Sequence, residues 1–530
     1  MFGDSFWTGM TIESSGAIKL QVFKALYVQT VPAFDPLSRA LGALAAILGT
    51  SAAAVYWRAG LSLSHYDARA HLVVARRIFD SLTPSWEQIG AVWLPLPHVL
   101  NALPVQIDWI YRTGAFAIAI SVTSFAITVA CISAIVRRIS GSRSGAILAS
   151  MLFALNPNVL YLQSTPMTES MLFALAALVV LHLTQWSTAS TDYSATSASL
   201  RVRPAACWTI VAACLTRYEA WPIVGAAIVL AAYVKWRRGT VFTAVLHEAA
   251  KPALFAVATV LFFIGLSFAT TGTWFVTGGF YVPDAKLQGQ PVAVYQAIRD
   301  GVDALGGPRF VQFASYSIPI VAIAALLRRS WSGLILPLSF VAAAALPFYA
   351  YMSGHPFIIR YEVALILGCA VCIGAAVSLL GFLAPVAAIP MLALVMVQSP
   401  FFDPSLAPVV IEAQVDRSNS LGRRAVTACL RQQYDNTTIM VSMGSLAHYL
   451  QELSHANFDL DEFVHEGSGP LWEVALHGDP SLSVGWILIE EVAEGGDVLY
   501  QRSKAWPGFL SNFERVCEGG NVALYRRKGV

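Results

Sequence analysis

The sequence predicts an all-α polytopic membrane protein of about eleven transmembrane helices, followed by a small soluble α/β domain at the C-terminus. Three observations predict it. The 530 residues are 56% hydrophobic, with a mean hydropathy of +0.60. Only 12% are charged, against about 25% in an ordinary soluble domain. The charge is also unevenly divided: residues 401–530 hold 17 Asp+Glu and 10 Lys+Arg, net −7, whereas residues 1–400 hold 24 Lys+Arg and 15 Asp+Glu, net +9. So few charges cannot cover several soluble domains, and so apolar a chain is neither disordered nor fibrous. The expected organisation is a transmembrane domain over 1–400 and an extracytoplasmic α/β domain over 401–530.

A span needs about 20 apolar residues. Runs of that kind lie at 38–57, 114–136, 145–161, 169–186, 204–216, 220–235, 252–271, 310–327, 332–350, 361–380 and 382–400. The first is not a cleaved signal peptide, because a long segment precedes it and no small-residue cleavage site follows. Residues 15–30 read as an amphipathic segment on the cytoplasmic surface. With the N-terminus inside, the inside loops carry Arg137, Arg138, Arg143, Arg201, Arg203, Lys235, Arg237, Arg238, Lys251, Arg328 and Arg329, as the positive-inside rule requires. The Ser/Thr/Ala stretch 187–200 reads as a flexible inside loop, and the tail then lies outside.

Two outside loops are long. Residues 58–113 contain an amphipathic stretch from Ala68 to Asp80 and the segment WLPLPHVL at 93–100. Residues 272–309 are rich in Gly and Pro and read as a mobile loop that orders over ligand, with Tyr281 and Tyr295 available for stacking. The tail alternates strand-like runs (438–443, 486–491, 521–527) with helix-like ones (Ser445 to Leu453, Trp506 to Arg515). Its acids, among them Asp459, Asp461, Glu462 and Glu466, read as a solvated face, and the domain is expected to cap or orient an acceptor without supplying catalytic residues. Cys131, Cys207, Cys214, Cys369 and Cys372 lie in apolar runs as small core residues. Cys429 and Cys517 are placed to pair if the tail faces an oxidising compartment.

Charges buried at a membrane boundary are costly and therefore mark function. Asp67, in Ser64-His65-Tyr66-Asp67-Ala68-Arg69-Ala70-His71, follows the first span; its structural alternative is a helix cap. Asn156-Pro157-Asn158, Tyr161 and Ser164-Thr165-Pro166-Met167-Thr168-Glu169-Ser170 form the outer turn between the third and fourth spans. There Pro and Asn free backbone groups for a ligand, or Thr168 simply caps the next helix. Arg217-Tyr218-Glu219 separates two short spans, and Arg217 and Glu219 are able to pair with one another. Gly354-His355-Pro356 leads to Arg360-Tyr361-Glu362, where a guanidinium among aromatics suits a phosphate at headgroup depth; snorkelling is the alternative. The basic residues flank membrane spans, so nothing supports nucleic-acid binding.

Together these groups resemble the GT-C glycosyltransferases, multi-spanning enzymes that use polyprenyl-phosphate-linked sugars. The nearest branch is similar to glycosyltransferase family 39, the protein O-mannosyltransferase-like group and its bacterial relatives. Tyr66-Asp67, Leu155-Asn156-Pro157 through Thr168-Glu169-Ser170, Thr216-Arg217-Tyr218-Glu219 and Arg360-Tyr361 carry the resemblance, which covers about residues 1–400. The chain departs where many members carry adjacent acids in the first loop, since Asp67 is followed by Ala68. No metal or other cofactor is therefore expected; a divalent ion at His65, Asp67 and His71 is the alternative.

The resemblance implies a single inverting displacement at an anomeric carbon, in a bacterial inner membrane. Asp67 would be the catalytic base. Arg360, with Arg217 second, would hold the lipid phosphate. Tyr66, His71, Asn156, Tyr161, Glu169, Glu219, His355 and Tyr361 would line the substrate site. The implied partners are the polyprenyl-phosphate sugar donor, an acceptor that is protein, lipid or glycan, and membrane lipids. A transporter or flippase of lipid-linked sugars, or another polyprenyl-phosphate-dependent transferase, is the alternative reading.

Overall fold

Long apolar helices dominate the first three quarters of the chain and pack into one bundle. The computed structural model describes residues 34–189, 201–276, 282–398 and 407–529. The amphipathic segment expected at 15–30, most of the Ser/Thr/Ala loop and Tyr281 lie outside the described residues. Helix α1 (Pro36–Arg58) is followed by a loop holding α2 (Tyr66–Arg76), α3 (Leu96–Asn101) and α4 (Asp108–Thr113). Then come α5 (Ala115–Ser140), α6 (Arg143–Ala154), α7 (Pro157–Leu162), α8 (Glu169–Thr188), α9 (Pro204–Cys214), α10 (Ala220–Arg237) and α11 (Phe242–Thr271). After these lie α12 (Pro291–Gly306), α13 (Pro308–Leu327), a broken helix α14 (Arg329–Met352), α15 (Val363–Ser378) and α16 (Ala384–Gln398). Every expected span is helical, and eight helices among the described residues are long and apolar enough to cross a membrane.

The expected span 145–161 is two helices. Asn156 takes the cap of α7, its side chain accepting from the backbone N–H groups of Asn158 and Val159, and Pro157 occupies the first turn. Proline is favoured there because its missing N–H would be unpaired anyway.

The loop 272–309 departs from the mobile loop that its Gly and Pro content predicts. Sixteen of its residues form α12, with Val294, Ile298, Val302 and Leu305 buried at helical spacing. Gly289 and Gly307 have positive φ and bracket this helix, rather than loosening it. The breaker residues thus mark the ends of an element that the composition hid.

The tail begins with α17 (Pro408–Glu412) and α18 (Arg417–Gln433). Its sheet holds β1 (Ile439–Val441), β2 (Phe463–Val464), β3 (Trp486–Glu490), β4 (Phe513–Gly519) and β5 (Val522–Arg527), in the order β2-β1-β3-β5-β4. Strands β2, β1 and β3 are parallel, and β5 runs antiparallel between β3 and β4. Helices α19 (Met443–Leu453), α20 (Pro470–His477) and α21 (Val498–Ala505) cross between strands. The helix expected from Trp506 to Arg515 is instead a short 3₁₀ turn running into β4. Gly520 and Asn521, both at positive φ, close the β4–β5 hairpin, as a tight two-residue turn requires. Cys429 and Cys517 form a disulfide between α18 and β4.

The tail and the first loop share a core. On one sheet face Ile439, Val441, Trp486, Leu488 and Leu524 pack with Ala70, Leu72, Val73 and Tyr111 of the first loop. On the other face Met440, Ile487 and Ile489 pack against Trp472, Leu499 and Phe509. Alternate strand residues serve opposite faces, as the pleat demands.

In the bundle, α6 crosses α15 at close range. A Cβ on Gly374 would collide with the Gly145 carbonyl and with Ala149, so only glycine permits this approach. Gly374→Val should push the helices apart and cost about 1–3 kcal/mol, as overpacking does. A thermal melt of the detergent-solubilised variant measures this, and an unchanged midpoint would show that the helices have room to separate.

Candidate active site

Four polar segments meet at the bundle end that carries the first loop and the tail. Arg360 sits in a 3₁₀ turn, Ile359–Glu362, just before α15, and is only 4% exposed. It is therefore not snorkelling. Its Nη2 donates to Asp67 Oδ2 at 2.6 Å and its Nη1 to Glu169 Oε1 at 3.3 Å. Its Nε lies 3.4 Å from Glu412 Oε2. Three carboxylates from three remote segments surround one guanidinium.

A second guanidinium extends the cluster. Arg217 Nη1 donates to the same Glu169 oxygen at 3.1 Å and to Thr168 Oγ1 at 3.0 Å, and its Nη2 donates to Glu219 Oε1 at 2.7 Å. The expected pairing of Arg217 with Glu219 thus exists, but it belongs to a chain from Asp67 through Arg360, Glu169 and Arg217 to Glu219. Thr168 makes no side-chain cap of α8; its hydroxyl accepts from Arg217 instead. Four carboxyl groups face two guanidinium groups. Glu169 Oε2 and Glu412 Oε2 are buried without a hydrogen-bond donor.

Local structure sets each partner. His65 caps α2, its Nδ1 accepting the Asp67 N–H, which leaves Asp67 in the first turn rather than as the cap. An acid is favoured there by the helix dipole. Glu169 likewise opens α8. Glu412 ends α17, which is tied down by the Val409 N–H donating to Asn158 Oδ1. Burial pushes the Glu412 carboxyl above the usual range, and Arg360 offsets only part of that. The Asp67 carboxylate, with burial, also raises the Tyr66 phenol above its ordinary value.

The other expected site residues divide. Tyr361 and His355 lie beside the cluster, the Tyr361 hydroxyl 3.4 Å from His355 Nε2. His71, one turn beyond Asp67, is buried with its Nδ1 3.3 Å from His98 Nε2 and its ring against Trp93. Asn156 and Tyr161 are engaged in hydrogen bonds to neighbouring segments. Asn156 spends its side chain on the α7 cap and on the Leu305 carbonyl. Tyr161 bonds Ser64 and the Leu61 carbonyl, 3.0 Å from each. Both fasten neighbouring segments of the chain. Glu412, from the tail, is the member of the cluster that the sequence reading missed. The only signal was one acid ending the apolar run Pro408-Val409-Val410-Ile411. Among the described residues no three His, Cys, Asp or Glu side chains are grouped so as to hold a metal ion.

Several histidines around the site are buried in their neutral form. Burial lowers His65 and His71 well below 6.5, and takes His98 and His448 to about 3. Between pH 6.5 and 3 the unfolded chain therefore binds protons that the folded protein refuses. Stability is complete above 6.5 and is lost as the pH falls, by up to about 2 kcal/mol per ring between pH 7 and 5. Melts at pH 7 and pH 5 should show this, and His98→Gln should flatten the slope. An unaltered slope in that variant would show that His98 does not contribute to it.

No protein-family model matches the sequence, and no curated protein matches it. Solved structures do. ArnT from Cupriavidus metallidurans in the apo state aligns at a TM-score of 0.55 and 14% identity, over 90% of this chain and 97% of that one. The same protein bound to undecaprenyl phosphate aligns at 0.54 with the same identity and coverage. An oligosaccharyltransferase from Archaeoglobus fulgidus in the apo form aligns at 0.50 and 11% identity, over 86% of this chain and 70% of that one. The likeness is one of fold and does not single out the family 39 branch. The chain shares the fold of ArnT, and its long apolar helices are those of an integral membrane protein.

Proposed function

We propose that the protein is an inverting glycosyltransferase, moving a sugar from a polyprenyl-phosphate-linked donor to an acceptor hydroxyl on the extracytoplasmic side of a bacterial inner membrane. One observation carries the reading: a buried guanidinium, Arg360, lies 2.6 Å from a carboxylate, Asp67, on a helix of the first loop. This arrangement pairs an anion holder with a proton acceptor where a membrane lipid presents its headgroup. ArnT, with the same fold, has been crystallised with undecaprenyl phosphate.

In the resting arrangement the carboxylates occupy Arg360. A lipid phosphate offers that fork two oxygens in equivalent geometry and takes their place. Glu412, whose contact with Arg360 is the longest of the three at 3.4 Å, is the readiest to leave. Asp67, released from Arg360, then accepts the proton of the acceptor hydroxyl. The acceptor oxygen bonds to the anomeric carbon as the bond from that carbon to the phosphate oxygen breaks. Arg360 neutralises the charge growing on the leaving phosphate, and Arg217 supports it through Glu169. The residues present need no metal for these steps.

The orientation rests on the cations flanking the opposite end of the bundle, which belong inside. The Cys429–Cys517 disulfide suits an oxidising compartment for the tail. Protease added to intact spheroplasts should then cleave the tail, and protection would reverse the topology.

Purified protein incubated with defined polyprenyl-phosphate sugars should yield a glycosylated product detectable by mass. Asp67→Asn should lower turnover about 10²–10⁴-fold while donor binding survives. Arg360→Lys keeps the charge but loses the fork, so donor use should weaken without unfolding. Wild-type turnover in Asp67→Asn would remove the mechanism, and unaltered donor affinity in Arg360→Ala would pass the phosphate to Arg217.

A further inference from the structure

At the bundle end remote from the Arg360 cluster, cations crowd around the C-terminal turn of α8. Lys235 is 1% exposed, and its ammonium donates to the carbonyls of Trp186 at 3.1 Å and Ala189 at 3.4 Å. Arg238 donates to the Thr188 carbonyl at 3.3 Å. Arg138 donates to the Thr188 hydroxyl at 2.8 Å, and Arg203 reaches the Gln185 side chain at 3.4 Å. Capping a helix C-terminus explains some of this, since the helix end presents roughly half a negative charge. Four cations exceed that several-fold. The nearby acid, Glu248, does not balance them, because it already accepts from Lys251 at 3.2 Å and from the Val202 N–H. Membrane-flanking cations ordinarily sit in water or among headgroups, but Lys235 is buried.

Beside this surplus lies a cavity of about 360 Å³. Lys235 and Arg201 supply its cationic lining and Glu248 its one acid, which is paired with Lys251 and lies 3.7 Å from His247; Trp186, Ala244 and Val245 supply apolar walls. Thr240, also in the lining, has a buried hydroxyl with no hydrogen-bond partner among the described residues. A cationic floor, an idle hydroxyl and apolar walls match a phosphate carried on an amphiphile. We propose that this cavity binds the anionic phosphate group of a membrane lipid, separately from the Arg360 cluster. The proposal does not depend on the glycosyltransferase reading.

Native mass spectrometry of delipidated protein in detergent tests it, with phosphatidylglycerol as the probe. Phosphatidylcholine, whose choline cation cancels the charge, and inorganic phosphate form the comparison arms. Wild-type protein should retain phosphatidylglycerol in preference to phosphatidylcholine. Lys235→Met should weaken that retention about ten-fold or more, as loss of a charge-assisted contact does. Lys235 also ties down the end of α8, so Arg201→Gln, on an exposed residue of the lining, provides the second variant and should weaken retention too. Arg328→Gln, an exposed membrane-flanking arginine outside the cavity lining, should retain the lipid fully. Displacement of the lipid by inorganic phosphate would support the site and name free phosphate as an occupant. Equal loss in all three variants, or equal retention of both lipids, would overturn the proposal in favour of general attraction to a basic membrane surface.

Discussion

The structure depends on one buried guanidinium. Taking Arg360 out of water is expensive, and the cost is offset only if carboxylates are brought to it in good geometry. Those carboxylates come from the first loop, from the start of α8 and from the end of α17, segments far apart in the chain. The ion cluster therefore fixes how the loop, the bundle and the tail sit together. Glu169 then ties Arg360 to Arg217, so the turn between α9 and α10 joins the same network.

The tail holds the site through α2 as well as through Glu412. Arg69, two residues beyond Asp67, forms an ion pair with Glu452 of α19, and Glu452 is also held by Arg423. Arg423 in turn binds Asp416 through two hydrogen bonds, at 2.9 and 2.6 Å. With α2 packed into the core of the sheet domain, Asp67 is positioned from both sides: by Arg360 in the bundle and by the tail behind it. The tail is thus a structural wall of the site and not only a domain resting above it.

Much of this was legible in the sequence, for a physical reason. Asp67, Glu169, Arg217, Glu219 and Arg360 stand out because a charge in so apolar a chain needs a partner. The spans were legible because an apolar run of membrane length is rarely tolerated by a chain that folds in water. Glu412 was not legible, since it follows the last span in an acidic tail where one more carboxylate attracts no notice; its place depends on α17 folding back against α7. At Asn156 and Tyr161 the side chains fasten the helix break and the first loop. Helix α12 was hidden because Gly and Pro ordinarily loosen a chain, whereas here they delimit an amphipathic helix. Strand β4 was hidden because its pairing with β5 is set by the Gly520-Asn521 turn rather than by its own apolar pattern.

Arg360 and its carboxylates form one interdependent unit. A double-mutant cycle on folding stability tests it most directly. Arg360→Ala alone should cost about 3–5 kcal/mol, because it strands buried carboxylates. Adding Asp67→Ala to that variant should cost far less than Asp67→Ala costs in the wild type. Simple additivity of the two substitutions would show that the pair is not coupled, and would contradict the account.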